Sequence, residues 1–215
     1  MPTLIALGPP ARYSVRMRKA PWGGSVPRNE TEARDRLLDA TERCVRRDGV
    51  EGTSLASVAA EAGVSRRTVY RYFASGQELL AAAEIRAGGG LLDRLRRAAD
   101  PKLAPRERLL RALVAFVEEA PTDPLLSRYL DPEALDPATV LNDDTVRRAL
   151  TQFAAVYYGK PLTKRAAREF RDLGELTMRI LMSLCMVPAK GRRTRRLIEL
   201  TLHRALDDLP TQMPK

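Results

Sequence analysis

The sequence predicts an all-α fold: an N-terminal three-helix helix-turn-helix head joined to a second helical domain. Two observations predict it. Residues 54–73 read as two short capped helices around a tight glycine turn, and beyond Asp100-Pro101 the apolar residues recur at helical spacing throughout. The boundaries that follow are a leader at 1–29, the head at 30–76 and the helical domain at 77–215.

The leader is rich in Pro and Gly and without periodicity, which predicts a disordered basic segment. Leu4-Ile5-Ala6-Leu7 is too short for the apolar core of a signal peptide, and no basic stretch precedes it. Arg12, Arg16, Arg18, Lys19 and Arg28 meet no acid before Glu30. The segment reads either as an arm that reaches a neighbouring minor groove or as an inert tail, with Met17 as an alternative start.

In the head, Ser54 is placed to cap a helix carrying Leu55, Val58, Ala59 and Ala62 at helical spacing. Gly63 ends that helix, because glycine closes a helix in the left-handed conformation without a Cβ clash, and Val64 can fold back on it. Ser65 caps the next helix, in which Val69 and Phe73 face the core. Arg66, Arg67, Tyr70 and Arg71 are left outside, on a face that carries no acid. Such a face suits a DNA major groove: Arg forks onto guanine O6 and N7, while Thr and Tyr reach phosphates or a thymine methyl.

Charge is local. The chain has 215 residues, 44% of them hydrophobic, and a net charge of +10. Across residues 28–75, however, nine arginines meet eight acids, so the cations that stand apart are those of the second helix of the turn and of the leader. The longest apolar run, Ile180 to Val187, is shorter than the roughly 18 residues that span a bilayer, so a soluble, cytoplasmic protein is expected. Cys44 and Cys185 sit at core positions of separate helices, which suggests a reducing compartment and no pairing. His203 stands without Cys or a carboxylate cluster, so neither a metal nor any other cofactor is expected.

Glu78 to Ala98 continues as a long helix with Gly88-Gly89-Gly90 inside it, either a hinge or the end of one helix and the start of another. Further helices cover Pro105–Ala120, a segment holding Val146, Leu150, Phe153 and Tyr157, then Leu162–Val187 and Arg192–Leu209. The cluster Lys190, Arg192, Arg193, Arg195 and Arg196 opens the last of these. Cations are mildly unfavourable there, so it is either a solvated patch or a site for an acidic partner.

From Arg34 to Ala83 the order of motifs resembles the DNA-binding domain of the tetracycline-repressor (TetR) family. The matching pieces are Asp48-Gly49-Val50, Thr53-Ser54, Val58-Ala59, Ala62-Gly63-Val64-Ser65, Thr68-Val69-Tyr70, Tyr72-Phe73, Ser75 and Glu78-Leu79-Leu80. The resemblance implies that Arg66, Arg67, Thr68 and Arg71 read bases beside the capping Ser65, and that Ser54, Tyr70 and Tyr72 hold phosphates. One departure stands out: where the family carries a lysine at the start of the fourth helix, this chain has Gly76, which offers only a backbone amide.

The same resemblance implies a homodimer through the last two helices, and a single small head makes too few contacts for tight specific binding without a twin. It also implies a pocket for a small-molecule effector, with Phe116, Tyr129, Phe153, Tyr157, Tyr158, Met178 and Met182 as the bulky candidates; taken singly, each reads more readily as plain core than as ligand wall. Arg179 could meet a ligand acid or pair with Glu175 one turn earlier. The expected function is a sequence-specific regulator of transcription that binds a palindromic double-stranded operator and is released by its ligand; activation instead of repression stays open. The alternatives are a non-sensing architectural DNA-binding protein and a DNA recombinase or transposase. For the last, the best acidic pair, Asp143-Asp144, has its side chains about 100° apart on a helix and lacks a third carboxylate.

Overall fold

The computed structural model of the chain describes residues 21–130, 171–189 and 191–207. Among these the regular elements are all helical. They are α1 (Glu30–Asp48), α2 (Leu55–Glu61), α3 (Arg66–Tyr70), α4 (Gly76–Ala98), α5 (Pro105–Glu119), α6 (Pro124–Ser127), α7 (Arg171–Met186) and α8 (Arg192–Asp207). Short 3-10 turns cover Pro21–Gly24, Ala120–Thr122 and Arg128–Leu130.

Two apolar clusters organise the molecule. The first joins Leu37, Cys44 and Val45 of α1 to Val58 of α2, Val69 of α3, Phe73, and Leu79 and Ala83 of α4. The second is centred on α5, where Leu109, Leu110, Leu113, Phe116 and Val117 meet Leu91 and Leu95 of α4, Met178, Leu181, Met182 and Cys185 of α7, and Ile198 of α8. α4 therefore belongs to both: its first half closes the head and its second half lies on α5. Leu125 of α6 is buried in the head's cluster, and the neighbouring Leu126 packs against both. An ion pair ties the second cluster at its far side, where Arg195 of α8 donates to Glu107 of α5 at 2.6 Å. Arg195 also pairs with Glu199 at 3.0 Å, while Arg192, Arg193 and Arg196 are exposed.

Two expectations are corrected. α4 runs without interruption through Gly88-Gly89-Gly90, so no helix ends there. Three helical glycines cost about 0.8–1 kcal/mol each against Ala. The burial of Leu91 and Leu95, 5% and 1% exposed, offsets this, since a buried leucine contributes about 1.5–3 kcal/mol. The leader, expected to be irregular as far as residue 29, is built into the head from residue 21 onward. The Trp22 N–H donates to the Gly63 carbonyl at 3.2 Å, and Arg36 of α1 donates to the Ser25 carbonyl.

Candidate DNA interface

Helix α3 is positioned by its two ends. At the end of α2, Gly63 takes φ 67°, and the chain closes with Gly63 N–H donating to Ala60 O at 3.2 Å and Val64 N–H to Ala59 O at 2.8 Å. This paired closure satisfies the last carbonyls of α2 and requires a residue without Cβ strain at the turn. The start of α2 is a reciprocal box, with Ser57 N–H donating to Ser54 Oγ at 3.2 Å and Ser54 N–H to Ser57 Oγ at 2.9 Å. Two residues after the glycine, Ser65 opens α3. Its hydroxyl accepts from Thr68 N–H at 3.1 Å and lies 2.9 Å from the Thr68 hydroxyl.

Val69 and Phe73, 0% and 1% exposed, anchor α3 from beneath. Arg66, Arg67 and Arg71 are exposed above it, together with Tyr70 at 55%. Several acids of the head are engaged on other faces. Glu61 accepts from Arg43 at 2.6 Å and Arg47 at 3.0 Å, Glu32 from Arg36 at 2.6 Å, and Glu42 from Arg86 at 2.7 Å. The Glu61 carboxyl is held below its ordinary value by the Arg43 hydrogen bond first and the Arg47 bond second. Among the described residues no acid pairs with Arg66 or Arg67. A near-neutral head is thus divided into a neutralised back and a cationic α3 face.

The end of α3 is braced by stacked side chains, and two of the partners, Arg34 and Trp22, are ones to which no sequence pattern assigns this role. Arg71 lies over the Tyr72 ring, 4.7 Å from its centroid, and donates to the Tyr72 hydroxyl. From α1, Arg34 stacks 4.2 Å over Phe73 and donates to the Tyr72 carbonyl. Trp22 meets the Tyr72 ring edge-on, with centroids 6.4 Å apart and planes at 74°. Trp22 itself has φ 61° and ψ 28°, a left-handed conformation uncommon for a bulky side chain. The one signal of this corner in the sequence is the chain's single tryptophan, standing before Gly23-Gly24 in an otherwise patternless leader. At the start of α4, beside Gly76, Ser75 Oγ accepts from Glu78 N–H at 3.1 Å.

Of the residues expected to line an effector site, Phe116, Met178 and Met182 come together in the second cluster, 9%, 5% and 7% exposed. Tyr129 packs at its edge, where its hydroxyl donates to Glu84 of α4 at 2.5 Å. Arg179 is exposed and pairs with Glu175 at 2.7 Å, the intrahelical partner one turn earlier. Phe153, Tyr157 and Tyr158 lie outside the described residues. Among the described residues no group of three His, Cys, Asp or Glu could hold a metal, and no helix is long and apolar enough to cross a membrane. Cys44 and Cys185 are free and buried, and burial pushes the Cys185 thiol up to about 12.

Residues 37–83 match the family described as bacterial regulatory proteins, tetR family. A stretch of 84 residues is 34% identical to the HTH-type transcriptional regulator PksA of Bacillus subtilis (strain 168), covering 39% of this chain and 41% of that relative's length. A TetR-like transcriptional regulator from Rhodococcus sp. RHA1 has a similar structure, with a TM-score of 0.51 and 25% identity over 86% of this chain and 100% of that one. The TetR family repressor AlkX from Dietzia sp. strain DQ12-45-1b shares the fold, with a TM-score of 0.60 and 20% identity over 83% of this chain and 97% of that one.

Proposed function

Taking as premise that this chain belongs to the TetR family of transcriptional regulators, we propose that it is a homodimeric, sequence-specific repressor released from its operator by a small molecule. It acts in the cytoplasm, catalyses no reaction and needs no cofactor. The observation that carries the reading is the acid-free face of α3, held rigidly between a glycine turn and a buried Val69-Phe73 pair. Arg66 and Arg67 enter the major groove and read base edges beside Thr68. Ser54, Tyr70 and the Arg71-Tyr72 pair meet phosphates on either side.

Two heads are needed for a palindromic site, and the exposed Leu176 and Met186 of α7, Val187 just after it and Leu200 of α8 supply an apolar surface for the twin. In this reading the domain boundary falls near residue 76 in sequence, while α4 is shared by both clusters. The effector lodges among Phe116, Met178 and Met182, in a wall whose methionines adapt to varied shapes. Its effect reaches the head through residues 124–130. Tyr129 and Arg128 hold Glu84 of α4 at 2.5 and 2.7 Å, while Leu125 is seated in the head's cluster. A ligand that favours another arrangement of that segment lowers operator affinity by its difference in affinity for the two states.

The test is selection of bound duplexes from a random library by the full chain at fixed salt. A palindromic consensus is expected. Recovery of duplexes without any consensus would replace this reading with that of an architectural DNA binder.

A further inference from the structure

Helix α4 is held at two places and bare between them. Its first half belongs to the head, where Leu79, Ala83 and Ala87 are buried and Arg86 pairs with Asp39 at 2.8 Å and Glu42 at 2.7 Å, both on α1. Its second half belongs to the other cluster, where Leu91 and Leu95 are buried and Arg94 pairs with Glu119 of α5 at 2.5 Å. Ala87 is the last buried residue of α4 on the head's side and Leu91 the first on the other. Gly88, Gly89 and Gly90 therefore fill the interval between the two cores.

Neither backbone nor packing asks for glycine there. None of the three has a positive φ, so the conformation permits a side chain. A Cβ at Gly88 or Gly89 would meet no atom of the described residues within 4 Å, and one at Gly90 would touch only the guanidinium end of Arg94 at 3.5 Å. Alanine would fit at all three positions and strengthen the helix, because glycine is the poorer helix former. What the glycines do instead is lower the cost of bending α4 at the place where neither core grips it. The other link between the two bodies is residues 120–130, in which Leu125 is seated in the head's cluster while Arg128 and Tyr129 hold Glu84 on the head side of the glycines. That segment sets the resting angle, and the glycines set how readily the head departs from it.

We propose, resting on the dimeric DNA-binding reading above, that Gly88-Gly89-Gly90 is the pivot of each head and determines how much variation in half-site spacing one dimer accepts. From Gly89 back to the start of α4 at Gly76 the helix is about 20 Å long. A bend of about 5° in each protomer moves each head by about 1.7 Å, and the two together by about 3.4 Å, the rise of one base pair. The turn of about 35° that accompanies one added pair is shared between the two heads and the twist of the spacer.

The experiment measures affinity of the full chain, at one fixed salt concentration, for the selected palindrome and for the same palindrome with a base pair added to or removed from its centre. Three variants are compared with the wild type: Gly88→Ala/Gly89→Ala/Gly90→Ala, Gly89→Ala alone, and the triple variant with Ala81→Gly added. The last returns one glycine to an exposed position in the half of α4 that packs on the head. The triple variant is expected to unfold about 5–10 °C higher than the wild type. It binds the unaltered palindrome at least as tightly, and each altered palindrome about tenfold more weakly than the wild type does. Gly89→Ala falls between the two. Ala81→Gly lowers the midpoint again without widening the range of spacings, because its glycine stands on a segment that the head's core holds.

Amide hydrogen exchange of the free protein reads the pivot without DNA. The amides of residues 88–94 are expected to exchange faster than those of residues 80–87, and to slow in the triple variant. The same spacing profile in the wild type and the triple variant overturns the inference. So does recovery of the wild-type range by Ala81→Gly, since general softness of the helix would then be the cause and not the place of the glycines. Protection that is uniform from residue 80 to residue 94 overturns it as well. A full chain that selects no palindromic consensus fails the dimeric DNA-binding reading itself, and the pivot's role in spacing falls with it, a result plainly different from an unchanged spacing profile.

Discussion

In the head, each of α1 to α4 starts on a side chain that accepts a backbone N–H: Asn29, Ser54, Ser65 and Ser75. In the second cluster α5 starts at Ala104-Pro105 with no such cap, and it is held chiefly by the burial of Leu113, Leu181 and Ile198, each 0% exposed, with the Arg195–Glu107 pair beside them. Caps set where a helix begins and in which direction it leaves the turn. Burial sets how firmly it stays but tolerates sliding and repacking. The difference matches the two tasks proposed for them, since base reading requires fixed geometry in α3, whereas a responsive effector site requires a core that can rearrange.

The largest effect that would break this comparison is in the head's core. Phe73→Ala removes a ring buried beneath α3 and stacked under Arg34, with an expected loss of about 3–5 kcal/mol in denaturant unfolding and loss of DNA binding with it. A loss below about 1 kcal/mol would mean that the caps, not Phe73, hold the head together.

Next in size, Arg67→Ala is expected to relax base preference at one operator position by about 1–3 kcal/mol without changing the unfolding midpoint, as read by binding to single-position operator variants. Uniform weakening across all positions would assign Arg67 to phosphate.

The same substitution made in the two regions sharpens the contrast. Gly63→Ala places a Cβ on a left-handed residue at φ 67° and is expected to cost about 1–2 kcal/mol. Gly88→Ala adds a methyl with nothing within 4 Å on a continuous helix, and is expected to stabilise by about 0.8–1 kcal/mol. Thermal unfolding of the two variants should move in opposite directions. A destabilising Gly88→Ala would show that the glycines are retained for close approach of another body.

The smallest effect is electrostatic. The Arg195 hydrogen bond, and after it that of Arg111, holds the Glu107 carboxyl at about 2 against an ordinary 4.5. Its stabilisation is fully present above about pH 4.5 and fades as the pH falls toward 2. Arg195 is 43% exposed, so solvent screening keeps the pair below about 1 kcal/mol. Glu107→Gln should therefore lower the midpoint slightly at neutral pH, and the gap to the wild type should close on acidification. A gap that widens instead would contradict the assignment.

The parts legible in the sequence are those written in neighbouring residues. Ser54, Gly63 and Ser65 announce helix ends through their own backbone chemistry, and Val69 with Phe73 announces a buried face through spacing, so α2, the turn and α3 follow from the residues alone. Trp22 was not legible, because its partners Gly63 and Tyr72 lie 41 and 50 positions away and no local pattern marks such an approach. The glycines of α4 left a hinge and a break both open, and only the break is overturned: the tertiary burial of Leu91 and Leu95 keeps the helix continuous. The pairing of Arg71 with Tyr72 was hidden because spacing shows which face a side chain leaves from and not where its guanidinium comes to rest.

The central claim is that the acid-free α3 face reads bases while the rest of the head holds backbone. It is tested most directly by measuring, at one fixed salt concentration, the affinity of the wild type and of the Arg66→Ala/Arg67→Ala variant for the selected palindrome and for its scrambled sequence. The account predicts that the variant keeps most of its affinity for the scrambled duplex and loses most of its preference for the palindrome. A variant that weakens on both duplexes by the same factor, with its preference intact, would contradict it.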